Sequence, residues 1–345
     1  MEERLYLNNQ LHKTENVSVS IIVCSRNEEK YIEECINSIT SQKRIPGEYE
    51  IIIVDGMSED GTREILSRLA DNDKKIILID NAAKVKPPAV NIGFKNSKGK
   101  FLAICDAHTV YADDYIYKLL ILMEEHPEVQ CVGGPIVSVG DTNFGKANAI
   151  AMSSRIGVGN AKHRFPDYEG YAEMACFPLF RREVLEMIGY YDERFIINHD
   201  DEYCFRLKLA GGKVFLSHRA KSYYFVRSSP SKLFSQYYLY GYWQIATLKK
   251  HKNPISIRQL IPSTFILLIL LLFIRGIIAN SWIIALGLPI VYFSALVLFA
   301  ASKIHMEKFS VIKFIPLAIF ILHFAYACGF IAGILKNPFS SKRHN

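Results

Sequence analysis

Between residues 17 and 137, short apolar runs alternate with stretches whose apolar residues recur at helical spacing. Residues 17–24, 49–54, 75–80, 101–105 and 130–137 read as strands, and residues 28–42, 60–71, 87–97 and 112–126 as the helices between them. The strand runs are nearly continuous in apolar residues, which marks strands covered on both faces. Strand–helix alternation with short links predicts an α/β fold built on a mostly parallel sheet. Residues 138–180 lose this period and are rich in Gly, Ser, Asn and Ala, which fits a substrate-facing segment or a plain connection. Helical spacing returns at 181–188 and 201–210, the latter closed by Gly211 and Gly212, and 214–217 reads as a short strand.

The C-terminal third changes character. Residues 231–251 are amphipathic and aromatic (Phe234, Tyr237, Tyr238, Tyr240, Tyr242, Trp243) and close on Lys249 and Lys250. That pattern suits a helix lying in a membrane interface, or one packed on the core. Three apolar runs follow, 261–279, 282–301 and 314–335, each long enough to cross a bilayer. The expected division is a polar extension (1–16), a catalytic domain (17–230), an amphipathic helix and linker (231–258), about three spans (259–336) and a basic tail (337–345). Lys303, Lys308 and Lys313 fit a cytosolic loop between the second and third spans. Three spans would then place Lys342 and Arg343 outside, against the positive-inside rule; either the tail is too short to matter or one run is re-entrant.

Length allows one large α/β domain plus a second element in 345 residues. The net charge of +7 owes much to Lys249, Lys250, Lys252, Arg258, Lys342 and Arg343, beside the apolar runs. This favours an anionic membrane surface over nucleic acid, and no nucleic-acid-binding signature is visible. Cys24, Cys35, Cys105, Cys131, Cys176, Cys204 and Cys328 show no redox or metal spacing, which fits a reducing compartment. The polar first 16 residues do not read as a signal peptide, so the catalytic part is expected in the cytoplasm.

Candidate chemistry collects at predicted strand ends. Asp106 and His108 follow the run 101–105, at the edge where open α/β sheets bind ligands. A carboxylate and an imidazole there can share a hard divalent cation with phosphate oxygens; alone, the triplet also reads as a solvated turn. Ser25, Arg26, Asn27 and Glu28 stand at the first strand-to-helix junction, where polar groups hold a base and ribose or simply begin a helix. Asp55 ends the second strand, with Gly56 and Gly61 allowing a tight loop after it; it can accept hydrogen bonds from a base, or the segment is a turn and an N-cap. Lys86 can meet a phosphate, and Asn91 and Gly93 look like close-packing positions beside the sheet. His199, Asp200, Asp201 and Glu202 precede a helix whose dipole favours acids, and one of them near the metal site would serve as a general base.

Taken in order, VSIIVCSRNEE (19–29), IVDGMSEDGT (53–62), DAH (106–108) and HDDE (199–202) resemble the family 2 glycosyltransferases of GT-A fold. The likeness spans about residues 17–245 and is strongest to bacterial succinoglycan-type exopolysaccharide enzymes with C-terminal membrane spans. It implies an α/β, Rossmann-like GT-A catalytic domain followed by an interfacial helix and transmembrane helices in the inner membrane. It implies inverting, metal-dependent transfer from a nucleotide-sugar, taken as a UDP-sugar, to a lipid-linked saccharide in exopolysaccharide or cell-surface glycan synthesis. By the same resemblance, Ser25, Arg26, Asn27, Glu28 and Asp55 bind the nucleotide. Asp106 and His108 hold Mg²⁺ or Mn²⁺, and Asp200 is the catalytic base. Lys86, Asn91, Asp201 and Arg206 join the substrate contacts, and Glu173 lies on the acceptor-side strand. Three departures stand out: His108 where the family carries Asp, His199 where it carries Glu, and QYYLYGYW (236–243) without the Gln-x-x-Arg-Trp motif of processive enzymes. The last implies one or a few sugars per acceptor. The alternatives are transfer to polyprenyl phosphate itself and a non-catalytic membrane scaffold that keeps the fold.

Overall fold

A computed structural model of the chain describes residues 18–251, 259–336 and 338–339. The polar extension, Lys252, Arg258, Lys342 and Arg343 lie outside the described residues. Two compact units emerge, one from residues 18–137 and 165–224, the other from 138–164 and 225–339.

The first unit begins with β1 (Val19–Ser25), α1 (Ile32–Thr40), β2 (Tyr49–Asp55), α2 (Thr62–Asn72), β3 (Ile76–Asp80) and α3 (Lys86–Asn96). Then come β4 (Phe101–Asp106), β5 (Thr109–Tyr111), α4 (Tyr115–Glu125) and β6 (Cys131–Gly133), with β7 (Ile136–Val139) running over the boundary. The chain enters the second unit for α5 (Asn143–Met152) and α6 (Arg155–Val158). It returns for β8 (Glu169–Ala172), β9 (Leu179–Arg181), α7 (Val184–Ile188), α8 (His199–Leu209), β10 (Val214–Ser217) and β11 (Ser222–Phe225). The second unit is completed by α9 (Pro230–His251), α10 (Ile261–Ile278), α11 (Trp282–Ala301), α12 (Phe309–Ile312) and α13 (Ile315–Leu335).

The main sheet has the order β3-β2-β1-β4-β9-β6-β10-β8. β3, β2, β1 and β4 are parallel, as are β6 and β10, while β9 and β8 run antiparallel to their neighbours. From β1 the chain steps outward through β2 to β3, then returns to β4 on the opposite side of β1. That reversal is a topological switch point, and it opens a crevice at the carboxyl ends of β1 and β4. Register brings the polar strand ends to this edge, with Asp80 opposite Asp55, Asp55 opposite Ser25, and Cys24 opposite Asp106. Beneath it lies an apolar core of Ile22, Ile52, Val54, Leu102 and Ile104 with Phe94, Phe180 and Tyr203. Helix α3 packs tightly on β1, since a Cβ on Gly93 would sit 2.4 Å from Ile22 Cγ2.

Three expectations are corrected. The helix read at 181–188 starts only at Val184, because Leu179–Arg181 forms β9, wedged antiparallel between β4 and β6. Arg181 is held there by hydrogen bonds to the carbonyls of Val129 (2.8 Å) and Met123 (2.5 Å). The strand read at 130–137 breaks into β6 and β7 at Gly134 and Pro135, where the main chain passes so near Ala220 that a Cβ on Gly134 would lie 1.8 Å from its carbonyl oxygen. Residues 138–180 are more regular than their composition indicates, holding α5, α6 and β8.

In the second unit α10, α11 and residues 309–335 are each long and apolar enough to cross a membrane, with 11%, 17% and 44% of each span buried within the protein. Helix α9 packs along α13 with backbones in contact. A Cβ on Gly241 would lie 2.0 Å from the Tyr326 carbonyl oxygen, and one on Gly329 1.9 Å from that of Tyr238. Gly329 and Gly333 have the small-xxx-small spacing that lets membrane helices approach closely. His323 links α13 to two partners: Nδ1 lies 2.9 Å from the Tyr292 hydroxyl of α11, and Nε2 3.2 Å from the Gly157 carbonyl of α6.

Candidate active site

Asp106 ends β4 in the crevice, and its backbone N–H donates to the Tyr111 hydroxyl at 2.8 Å. Lys86, the first residue of α3, donates from Nζ to Asp106 Oδ1 at 2.5 Å and lies 3.6 Å from Asp200 Oδ2. Asp200 sits in the first turn of α8, and Tyr191 Oη donates to its Oδ1 at 3.2 Å. His199 Nε2 is 3.4 Å from Asp200 Oδ2 but is buried without a hydrogen bond. One ammonium thus bridges the carboxylates of two distant segments, and the three side chains remain 20–31% exposed.

The charges follow from these contacts. Burial works against the Lys86 ammonium, but the attraction of Asp106 and then Asp200 outweighs it and moves its pKa up. Burial would raise the Asp106 carboxyl, yet Lys86, His108 and His199 together hold it below its ordinary value. The Tyr191 hydroxyl is driven up by burial first and by Asp200 next, so it stays a proton donor to that carboxylate. Burial pushes the Cys24 thiol up to about 12, which leaves it unreactive beside Lys86.

The first strand end closes the other side of this site. His108 Nδ1 is 2.9 Å from Glu28 Oε1, and the imidazole stands 5.8 Å from the Tyr224 ring, centroid to centroid. Asn27 takes a left-handed conformation (φ 53°), its N–H donating to Ser58 Oγ and its Oδ1 accepting from the Glu59 N–H. Arg26 donates to the carbonyls of Gly56 and Met57 and so braces the loop after β2. Asp55 is buried under that loop, accepting from Ser58 Oγ at 2.6 Å and Ser58 N–H at 3.1 Å, with Arg63 at 3.4 Å. Ser25 is buried with its Oγ lacking a partner. Beside these residues is an open cleft of about 570 Å³ lined by Asn27, Glu28, Glu29, Lys30, Tyr31 and Asp60.

Two expected substrate contacts, Asn91 and Arg206, make structural hydrogen bonds. The Asn91 amide is buried and fully used: Nδ2 donates to Tyr191 O and Glu193 Oε1, and Oδ1 accepts from the Tyr191 N–H at 2.9 Å. Arg206 donates to Glu202 at 2.9 Å, to the Ile188 carbonyl, and to the Tyr190 carbonyl at 2.8 Å. Both residues fix the 188–193 turn that carries Tyr191 to Asp200. Asp201 is half-buried on α8, and Glu173 is half-buried just past β8. Sequence reasoning missed Tyr191, which no motif flags.

Among the described residues no three His, Cys, Asp or Glu side chains gather as a metal site. Asp106 and His108 offer two ligand types at one strand end. A cation that takes its other ligands from a diphosphate needs only such a pair, so these residues fit Mg²⁺ or Mn²⁺.

A switch-point crevice lined by two bridged carboxylates is the place where open α/β enzymes bind their ligands. The family model described as "Glycosyl transferase family 2" matches residues 20–189. The chain is 32% identical over 256 residues to succinoglycan biosynthesis protein ExoA of Rhizobium meliloti (strain 1021), spanning 72% of this chain and 75% of that one. It is 25% identical over 329 residues to a dolichyl N-acetyl-alpha-D-glucosaminyl phosphate 3-beta-D-2,3-diacetamido-2,3-dideoxy-beta-D-glucuronosyltransferase of Methanococcus voltae, spanning 92% and 97%. The mannosyltransferase PcManGT of Pyrobaculum calidifontis, solved with GDP-Man and Mn²⁺, shares the fold at a TM-score of 0.58 and 16% identity over 96% of this chain and 94% of that one. The chain belongs to glycosyl transferase family 2 and is a glycosyltransferase, on the GT-A-like fold that its motifs resemble.

Proposed function

We propose that this enzyme transfers a sugar, with inversion, from a UDP-sugar to a lipid-linked saccharide at the cytoplasmic face of the inner membrane, in the synthesis of exopolysaccharide or another cell-surface glycan. The observation that carries this reading is the Asp106–Lys86–Asp200 chain of contacts at the switch point. It sets a diphosphate-side carboxylate and a general base on one crevice. Asp200 takes the proton from the acceptor hydroxyl as that oxygen attacks the anomeric carbon. Tyr191 orients the carboxylate through its 3.2 Å hydrogen bond. Glu28, Asn27 and the buried Asp55 form a polar wall beside the cleft where the nucleotide lies. A divalent ion held by Asp106 and His108 would neutralise charge on the departing diphosphate.

Relatives support the parts. PcManGT was solved with a nucleotide-sugar and Mn²⁺, and the Methanococcus enzyme is named for a dolichyl-linked sugar phosphate. Three apolar helices would hold the site near such a lipid.

The test is transfer by the full chain in detergent, across UDP-, GDP- and TDP-sugars, with and without Mn²⁺, onto lipid-linked saccharide or bare polyprenyl phosphate. Asp200→Asn is expected to lower transfer about 10²–10⁴-fold while leaving nucleotide-sugar affinity in place. Retained turnover would remove Asp200 from its role. Preference for bare polyprenyl phosphate would replace the acceptor.

A further inference from the structure

We infer that Lys86 is a place-holder cation: without donor it occupies Asp106, so the metal-side carboxylate becomes available only when a nucleotide diphosphate draws the ammonium away. This rests on the reading of Asp106 as a ligand for the catalytic cation. Lys86 Nζ donates to Asp106 Oδ1 at 2.5 Å, a charge-assisted contact. Its second neighbour, Asp200 Oδ2, lies 3.6 Å away, while the Glu28 carboxylate on the same side is directed at His108. The remaining group on the expected cation side, His108, faces Glu28 at 2.9 Å. Among the described residues no third His, Cys, Asp or Glu completes a metal site with them.

Asp106, Asp200 and Lys86 together carry one negative charge, so the ammonium offsets half of the attraction the two carboxylates would offer a divalent ion. A diphosphate changes the balance. Its oxygens compete for Lys86 and supply the ligands the protein lacks. Lys86 starts a helix whose next residues are Pro87 and Pro88, so its backbone is fixed and only the side chain swings. Ion and nucleotide then bind as a coupled pair, each raising the affinity for the other. Lys86 is in this sense a positioning residue for the cation site, in addition to any contact with phosphate.

The test measures Mn²⁺ binding by the full chain in detergent, without nucleotide or turnover, by electron paramagnetic resonance of free Mn²⁺. Wild type and Lys86→Arg, which retains the cation on Asp106, are expected to bind Mn²⁺ weakly. Lys86→Met is expected to bind it at least about tenfold tighter, within the usual range of coupling between sites. The double variant Lys86→Met/Asp106→Asn is expected to return to the weak value. Equal Mn²⁺ affinity in wild type and Lys86→Met overturns the inference, as does a gain that survives loss of the Asp106 carboxylate. Wild type supplies a reading that needs no variant: UDP or GDP should tighten Mn²⁺ binding, and no change also overturns it. Nucleotide-sugar transfer is measured separately, so the place-holder can fail while the glycosyltransferase reading stands.

Discussion

His199 is a buried imidazole set 3.4 Å from the carboxylate proposed as the base, with Lys86 3.6 Å from the same carboxylate oxygen and the Tyr191 ring 6.0 Å away. Burial first, and then Lys86, lower its pKa, while Asp200 and Asp106 oppose the shift. An unfolded chain takes up a proton on this histidine near the ordinary value of about 6.5, and the native protein does so only at lower pH. Native stability therefore falls as pH drops below that value, because the unfolded state binds the extra proton. His199→Gln removes this dependence. Between pH of about 7.5 and about 5.5 its thermal midpoint should drop about 2 °C less than that of wild type, or better. Parallel drops would show that His199 does not titrate differently in the two states. Residues of this kind mark the limit of reading a sequence. Asp106, His108 and Asp200 stood out as candidates because each falls in a recognisable string, at a strand end, in the turn after it and in the first turn of a helix. Tyr191, the Lys86 bridge and the Asn91 clamp join residues from nine to more than a hundred positions apart, and only the fold brings them together. Arg206 was visible as a site-proximal arginine, yet its guanidinium is occupied by two main-chain carbonyls and Glu202.

Among the elements, the pairing of α9 with α13 is the most sharply specified. Their backbones touch at Gly241, Gly329 and Gly333, with no room for a Cβ at any of the three. Gly329→Leu would drive carbon into the Tyr238 carbonyl. It should destabilise the second unit by about 3 kcal/mol or more, read as a lower unfolding midpoint in detergent, whereas Gly287→Leu on α11, with nothing within 4 Å of its Cβ position, should change little. Equal effects at the two sites would mean that this contact does not hold the helices. The three apolar helices were plain from length and composition alone. The partner of Gly329 and Gly333 was not, since Gly241 lies in an aromatic stretch that reads equally well as interface-lying. Short strands escaped for a related reason. β9 is only three residues long, and its antiparallel place is set by β4 and β6 on either side rather than by its own residues.

At the scale of the molecule, charge divides with the packing. Residues 138–164 and 225–345 carry 17 Lys and Arg against two acids, Asp141 and Glu307, while the remainder carries 24 against 32. A basic unit with three bilayer-length helices suits an anionic membrane surface, and an acidic unit does not. The boundary between them is crossed by the chain three times, after residues 137, 164 and 224. Helix α5 turns Phe144, Ala147, Ala151 and Met152 inward, and it packs on α12 and α13; the His323 contact with Gly157 adds a polar link. No single cut therefore separates a water-soluble enzyme from its anchor. A chain ending at residue 229 would keep α5 and lose α12 and α13, which pack on it, and should aggregate without detergent although its bilayer-length helices are gone. Replacing residues 138–164 with a short Gly-Ser linker in that truncated chain should restore a monodisperse protein, checked by size-exclusion chromatography, and similar aggregation of both would refute this. The unit that carries the apolar helices, in effect, begins in the middle of the sequence that builds the sheet.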